Sequence, residues 1–370
     1  MSTKIPITCV VGTRPNFVKM ASIIDALRRQ GSFEVQLVHT GQHYSPEMSE
    51  AFFEELELPE PDVNLNVGPG TQTEQTAEMM RRLEPILSSQ RPEEVLVVGD
   101  VNSTLATALV ASKMGIPIIH VEAGLRSFDR GMPEEINRIV TDALSDSLFV
   151  SEPSGVHNLL AEGIPESRIH FVGNVMIDTL MRFREKASRS RILEQLGLEP
   201  RGFAVTTLHR PSNVDDPGSL RGFVEMLGRI AGRVPVVFPV HPRTVGRIQS
   251  AGLDTTGLIL TPPLGYLDFL HLMSQARLML TDSGGIQEET TILGVPCLTA
   301  RENTERPVTI QSGTNRLVGA DPGRILSAVW EELDRPFSTD HKTPELWDGK
   351  AAVRIAQVLE HHRQPMAVLT

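Results

Sequence analysis

Cysteine is almost absent. Two cysteines in 370 residues, Cys9 and Cys297, leave neither a disulfide framework nor a zinc site to build. Both stand inside apolar runs, where a free thiol is an inert core group. No apolar run reaches the roughly 18 residues that mark a membrane-spanning helix. The opening residues Met1 to Pro6 lack the apolar stretch of a secretory leader, so a cytoplasmic protein is expected. Positive charge is also short: 35 Lys and Arg against 46 Asp and Glu give a formal net charge of −11. That argues against wholesale nucleic-acid binding, which leaves a basic footprint. Any phosphate must be met by a few local cations and helix ends. Several motifs are missing as well: the metalloprotease His-Glu-x-x-His, the Walker lysine loop, the Gly-x-Ser-x-Gly elbow and the dinucleotide Gly-x-Gly-x-x-Gly.

What is present is ordinary globular material, 40% hydrophobic and 22% charged, long enough for two domains. Apolar runs alternate with amphipathic segments along most of the chain. Ile5–Val11, Phe33–Thr40, Val95–Val98, Ile116–Val121, Ser147–Val150 and Ile169–Val172 read as strands with helices between them. A charged, loosely helical stretch from Gly173 to about Pro200 reads as a connection. A second alternating set follows: Phe203–Thr207, Val236–Val240, Leu258–Leu260, Leu278–Thr281, Val295–Thr299 and Asn315–Val318. This is the pattern of βαβ units in parallel sheets covered on both faces. The expected fold class is therefore α/β, two doubly wound Rossmann-like domains, with ligand bound outside the carboxyl ends of the strands in an interdomain cleft. The domain limits are expected at 1–178 and 190–350.

The most informative stretch is Leu280-Thr-Asp-Ser-Gly-Gly-Ile-Gln-Glu-Glu289. A buried strand stops at Thr281-Asp282, and Ser283, Gly284 and Gly285 turn the chain into a helix closed by Gly294. Free backbone N–H groups and the helix dipole favour an anion there, and the glycines let a phosphate approach without a Cβ in the way. Of Glu288 and Glu289, one can cap the helix start while the other reaches a ribose hydroxyl. An ordinary strand-to-helix turn would use the same residues.

Other strand ends also collect chemistry. The first ends at Gly12-Thr-Arg14, with Lys19 one turn along the helix; later ones end at Gly99-Asp100, His120-Val-Glu122 and Leu208-His-Arg210. Each has a plain alternative. Asp100 could cap the next helix, Glu122 could be a surface carboxylate, and His209 could be a satisfied structural histidine. Arg14 and Lys19 could line a solvated helix face. Arg126, Asp129, Arg130, Glu134, Glu135 and Arg138 could be a surface charge run. Against these stands their common placement on one edge of the expected sheets. Carboxylates and a histidine beside a phosphate site suit proton removal from carbon with expulsion of a diphosphate.

The motifs Gly12-Thr-Arg-Pro15 with Lys19, Val98-Gly-Asp100, His120-Val-Glu-Ala-Gly-Leu-Arg126, Met132-Pro-Glu-Glu-Ile-Asn-Arg138, Gly173-Asn174, Leu208-His-Arg210, Thr281–Glu289, Thr304-Glu-Arg-Pro307 and Gly313-Thr-Asn-Arg316 resemble those of the UDP-N-acetylglucosamine 2-epimerases. The resemblance covers nearly the whole chain. It implies a glycosyltransferase-B-like fold whose last helix, about 352–370, returns to the first domain. It also implies inversion at C2 of a UDP-sugar through elimination and re-addition of UDP, no metal or nicotinamide, and a homodimer. By matching motif, Asp100, Glu122 and Glu134 are implied as acid/base carboxylates. His209, Arg14 and Lys19 are implied beside the diphosphate. Arg210, Phe269, Ser283, Gly284, Gly285, Glu289 and Arg306 complete the implied substrate contacts.

Four departures from the commonest family pattern stand out. Asn16 replaces Glu after Arg-Pro. The loop Ser127–Met132 is shorter, and Leu264 replaces a frequent Gln. The activator pattern, Gln42-His-Tyr-Ser-Pro-Glu-Met48, is longer and lacks its second Gln, so weak or absent activation by substrate is expected. Competing expectations are a hydrolysing epimerase, a 2-epimerase of a related UDP-diacetamido sugar, a glycosyltransferase of the same fold, and a non-catalytic nucleotide-sugar binder.

Overall fold

The computed structural model describes residues 4–42, 52–338 and 341–361. The chain forms two compact units: one runs to Met181 and resumes at Glu345, the other is Arg182–Pro344.

In the first unit, β1 (Ile5–Val11), β2 (Phe33–His39), β3 (Val63–Asn64), β4 (Glu94–Val98), β5 (Ile118–Val121), β6 (Ser147–Val150) and β7 (Ile169–Phe171) form a parallel sheet of order β3-β2-β1-β4-β5-β6-β7 among the described residues. The central strands are buried on both faces, and Val95 to Val98 are all 0% exposed. That explains their uninterrupted apolar runs. The second unit repeats the plan. There, β8 (Ala204–Thr207), β9 (Val236–Pro239), β10 (Leu258–Thr261), β11 (Leu278–Thr281), β12 (Cys297–Thr299) and β13 (Asn315–Leu317) run in the order β10-β9-β8-β11-β12-β13, again all parallel. In both sheets the order reverses direction between the first strand and the fourth, at β1/β4 and at β8/β11. The α/β class and the two Rossmann-like sheets are as expected.

Helix starts follow the residues that favour them. Pro133, Pro153, Pro217, Pro242 and Pro322 each open a helix, where the missing N–H costs nothing. Thr71 and Glu74 form a capping box at the head of Gln72–Gln90.

Two strands begin later than the apolar runs suggest, and for one reason. Gly115-Ile-Pro117 and Gly294-Val-Pro296 share a helix-closing pattern. The glycine takes the left-handed conformation, and the next amide turns back onto the helix, Ile116 N–H to the Ala111 carbonyl and Val295 N–H to the Thr290 carbonyl, both 3.0 Å. Those amides are spent before the strand can use them. The stretch from Gly173 to Pro200 is more ordered than expected, with helices Val175–Ala187 and Ile192–Leu196.

Within the first unit, the helix Ala351–His361 packs on Arg14–Gln30. Asp178 accepts from the Ala351 and Ala352 amides at 3.1 and 2.7 Å. Trp347 is buried and donates its indole N–H to the Ser151 carbonyl at 2.8 Å. No helix among the described residues is long and apolar enough to cross a membrane.

Candidate active site

In the first unit the candidate residues gather at the carboxyl ends of β1, β4 and β5. The end of β4 is held carbonyl by carbonyl. Asn16 Nδ2 donates to the Val98 oxygen at 2.9 Å, joined by Thr104 Oγ1 at 3.0 Å. His120 Nε2 lies 2.8 Å from the Gly99 oxygen, and Asn137 Nδ2 donates to the Asp100 oxygen at 2.8 Å. Arg138 then pairs with the Asp100 carboxylate. This carboxylate does not cap the following helix, whose N-cap position is Val101.

Glu122 follows β5 with φ +71°, a left-handed conformation that costs a side-chain-bearing residue about 1–2 kcal/mol. Its N–H and that of Ala123 both donate to the Phe149 carbonyl, at 2.9 and 3.1 Å, and hold the turn in place. The turn sends the carboxylate to Lys19, with both side chains 5% exposed. Gly99, at φ +72°, lies under this pair: a Cβ there would stand 3.1 Å from Glu122 Oε2 and 3.3 Å from Lys19 Nζ. Asp100 and Glu122 therefore leave neighbouring strands, each facing its own cation.

Behind them lies a buried network. His120 Nδ1 is 2.7 Å from Asp142 Oδ1, and Asp142 Oδ2 meets Arg126 at 2.7 Å. Burial raises the Asp142 carboxyl, but His120 and Arg126 together bring it below its ordinary value. Arg126 grips Glu162 through two N–H groups at 2.7 and 2.6 Å. Arg126, Glu135 and Arg138 are all buried, which corrects the surface-charge alternative for these three, while Asp129 and Arg130 are exposed. Glu122 is likewise no surface carboxylate, and Lys19 lies on no solvated helix face. Glu134 occupies the first turn of Pro133–Leu144, half-buried. Arg14 is half-buried with its guanidinium 4.8 Å from the Phe52 ring centroid, and burial lowers its pKa.

In the second unit the centre is Asp282, fully buried after β11. The His209 and Arg210 amides each donate to it at 3.0 Å, Asn213 Nδ2 donates at 2.8 Å, and His209 Nδ1 stands at 2.6 Å. Burial alone would raise this carboxyl; the His209 ring and the donors bring it down to about 2. The His209 side chain is itself 62% exposed, tethered at one nitrogen. Arg210 Nε donates to the Asp282 carbonyl at 3.1 Å. The ends of β8 and β11 are thus tied across the topological switch point, where α/β sheets bind their ligands.

From there Ser283, Gly284 and Gly285 open the helix Gly284–Leu293, half-exposed. A Cβ on Gly284 would stand 2.5 Å from Arg306 Nη1 and 2.7 Å from Glu305 Oε1. This glycine therefore admits the Arg306 side chain, a reason for glycine beyond phosphate approach. Arg306 reaches Glu288 at 2.7 Å and Glu305 at 2.5 Å, and Glu305 also pairs with Arg301 at 2.7 Å. Glu289 is buried and accepts from the Tyr266 hydroxyl at 3.2 Å. Burial pushes it up to about 8; the Tyr266 hydrogen bond opposes this and nearby Glu288 adds to it. Phe269 is half-buried on Tyr266–Gln275.

A family model for UDP-N-acetylglucosamine 2-epimerase matches residues 25–360. A UDP-N-acetylglucosamine 2-epimerase of Methanocaldococcus jannaschii is 42% identical over 365 residues, 96% of this chain and 99% of its own. The crystal structure of the M. jannaschii enzyme in complex with UDP-GlcNAc and UDP superposes with a TM-score of 0.90 at 41% identity, covering 96% of this chain and 100% of that one. The chain belongs to the UDP-N-acetylglucosamine 2-epimerase family. Its architecture is the glycosyltransferase-B-like one of that family. At equal identity, 42%, stands a UDP-2,3-diacetamido-2,3-dideoxy-D-glucuronate 2-epimerase of Pseudomonas aeruginosa, covering 95% of this chain and 99% of its own.

Sequence reasoning gave no role to four residues of this candidate site. Asp282 was visible in the motif but read only as a strand end. Glu135 and Arg138 carry the i, i+3 spacing of a helix ion pair, a signal indistinguishable from surface charge until burial is known. Asn16 stands out in the sequence only as a departure from the family pattern; in the structure it joins the head of Arg14–Gln30 to β4 by accepting from Thr13 N at 3.2 Å while donating to Val98. Of the activator pattern, residues 43–48 lie outside the described residues. Gln42 Oε1 accepts from the Ser103 hydroxyl at 2.8 Å.

Proposed function

We propose that this protein is a non-hydrolysing UDP-N-acetylglucosamine 2-epimerase that interconverts UDP-GlcNAc and UDP-ManNAc. The observation that carries this reading is the pair of carboxylates on adjacent strand ends, Asp100 with Arg138 and Glu122 with Lys19, the second held in a strained backbone conformation. Buried charge of this kind is costly unless paired, and strain persists where the surroundings over-determine it.

In this reading a carboxylate among Asp100, Glu122 and Glu134 removes the proton from C2 of the sugar. The C2–H electron pair forms the C1=C2 double bond, the C1–O bond breaks, and UDP leaves with the C1–O electron pair. The result is 2-acetamidoglucal and UDP. In the return step a second carboxylic acid delivers a proton to the opposite face of C2, and the UDP oxygen bonds to C1 again. Charge developing on the leaving diphosphate is met by the N–H groups of Ser283, Gly284 and Gly285 and by His209, Arg210, Arg306 and Arg14. Glu289 and Phe269 take the nucleoside end.

Proton NMR of the purified protein with UDP-GlcNAc in D2O tests the reading. The expected product is UDP-ManNAc carrying deuterium at C2 with the nucleotide still attached. Free ManNAc with UDP would replace the reading by the hydrolysing one, and product without deuterium would sink the elimination path. The P. aeruginosa relative favours one second reading, a UDP-2,3-diacetamido uronate as substrate. Higher kcat/KM on that sugar than on UDP-GlcNAc would decide for it.

A further inference from the structure

Arg138 divides its guanidinium in an unusual way. Its Nε and Nη2 both reach Glu135 Oε2, at 3.1 and 2.6 Å, while Nη1 pairs with Asp100. Arg138 and Glu135 are almost fully buried, 2% and 1% exposed, whereas Asp100 is 24% exposed. A buried cation is thus shared between a sealed carboxylate, Glu135, and a partly exposed one, Asp100. Glu135 has further work. Its Oε2 accepts from Ser127 N at 2.9 Å and Ser127 Oγ at 3.0 Å, and its Oε1 accepts from Phe128 N at 2.9 Å. Phe128 stands at φ +59° and 78% exposed, a conformation and an exposure that an apolar side chain does not choose for itself. Glu135 therefore holds the loop before the helix Pro133–Leu144 while, through Arg138, it holds the end of β4. Asn137, from the same turn, binds the Asp100 carbonyl. Glu134 directly precedes these anchors in the first turn of the same helix.

We propose that Glu135, acting through Arg138, is a positioning residue that fixes Asp100 and the Glu134 turn in one register. This rests on the reading of Asp100 and Glu134 as acid/base groups. Neither Glu135 nor Arg138 needs to touch the sugar. Each sets where a proton-transferring oxygen stands, and a displacement of about 1 Å costs such a step on the order of 100-fold.

The test compares wild type, Glu135→Gln and Glu135→Asp by C2 deuterium incorporation, steady-state kinetics with UDP-GlcNAc and thermal unfolding. In Glu135→Gln the amide oxygen still accepts from the loop, but the charge facing Arg138 is gone. The expected outcome is a kcat lower by about 100-fold, KM nearly unchanged, an unfolding temperature close to wild type, and substantial recovery in Glu135→Asp. Unchanged kcat in Glu135→Gln overturns the inference. So does a parallel fall of kcat and unfolding temperature that Glu135→Asp does not relieve. Should Glu135→Gln not fold, Arg138→Lys, whose single ammonium cannot span both carboxylates, must show the same kcat loss at constant KM, and wild-type kcat there overturns it equally. Absence of C2 deuterium in wild type is a different failure: it removes the epimerase reading first and the inference with it.

Discussion

The two units share a strand order and differ in what they place at its turning point. In the first, the carboxylates that follow β4 and β5 meet cations carried on two helices, Glu122 with Lys19 of Arg14–Gln30 and Asp100 with Arg138 of Pro133–Leu144. In the second, one buried carboxylate, Asp282, gathers the loop that carries His209 and Arg210 against the head of a helix with half-exposed N–H groups. One fold thus yields one turning point where strand-end carboxylates face side-chain cations and another where the central carboxylate is met by backbone amides. The parallel sheet supplies positions, and the few residues after each strand decide the chemistry. On the proposed reading the first kind suits moving a proton at carbon and the second suits holding a diphosphate.

The sharpest way to break this comparison is to neutralise one unit and ask which kinetic constant responds. Glu122→Gln keeps size and burial but removes the charge facing Lys19. If the first unit does the proton chemistry, kcat falls by about 100- to 10,000-fold while UDP affinity, read by calorimetry, stays near wild type. Asp100→Asn should behave alike. Near-full turnover in Glu122→Gln would take that residue out of the mechanism, and a matching loss of UDP affinity would erase the distinction between the units.

How much of this was legible beforehand depended on the kind of signal. Both sheets could be read from apolar runs, because strands buried on two faces have no alternation to obscure them. The strand-end residues could be located for the same reason: Asp100, Glu122, His209 and Ser283 each follow an unmistakable run. What could not be read was burial. Glu135 and Arg138 look like a solvated helix pair, and only packing shows them sealed beneath Asp100. The roles of Asn16 and Asp282 escaped because they lie in how many partners each satisfies, and hydrogen-bond partners far apart in the chain leave no local pattern. The delayed starts of β5 and β12 were readable in principle, since the glycine, apolar residue and proline after each helix announce the closing bond.

A second way to sharpen the comparison lies in Asp282. Its carboxyl is held at about 2 against an ordinary value of 3.8. The folded value lies below the unfolded one, so the contribution is fully present above pH 4 and lost as pH falls through about 2. The difference corresponds to about 2 kcal/mol. Asp282→Asn should therefore be destabilised by about that much at pH 7 in urea unfolding. Its deficit should shrink as pH falls from 4 towards 2. UDP binding should weaken too, because His209 and Arg210 lose their common acceptor. Full stability in Asp282→Asn would show that the loop is organised by something else.

Asp178 in the first unit gives the opposite and smallest effect. It too is a buried aspartate accepting two amides, those of Ala351 and Ala352. Yet burial pushes it up to about 6; the amides and Arg354 oppose the shift, and Asp348 adds to it. The contrast with Asp282 is one of donors: Asp282 has a histidine ring and a side-chain amide beyond its two backbone N–H groups, and Asp178 has no such ring against it in the hydrogen bonds seen. Here the folded value lies above the unfolded one. The stabilising contribution is complete below about pH 4 and lost as pH rises through about 6. Above that, the carboxylate is a burden that the two amides only partly relieve. Asp178→Asn keeps one good acceptor and carries no charge, so it should gain on the order of 1 kcal/mol at pH 7.5, lose that gain by pH 4, and flatten the pH dependence between. A variant less stable than wild type at both pH values would mean that the charge, and not merely the acceptor, holds the start of Ala351–His361.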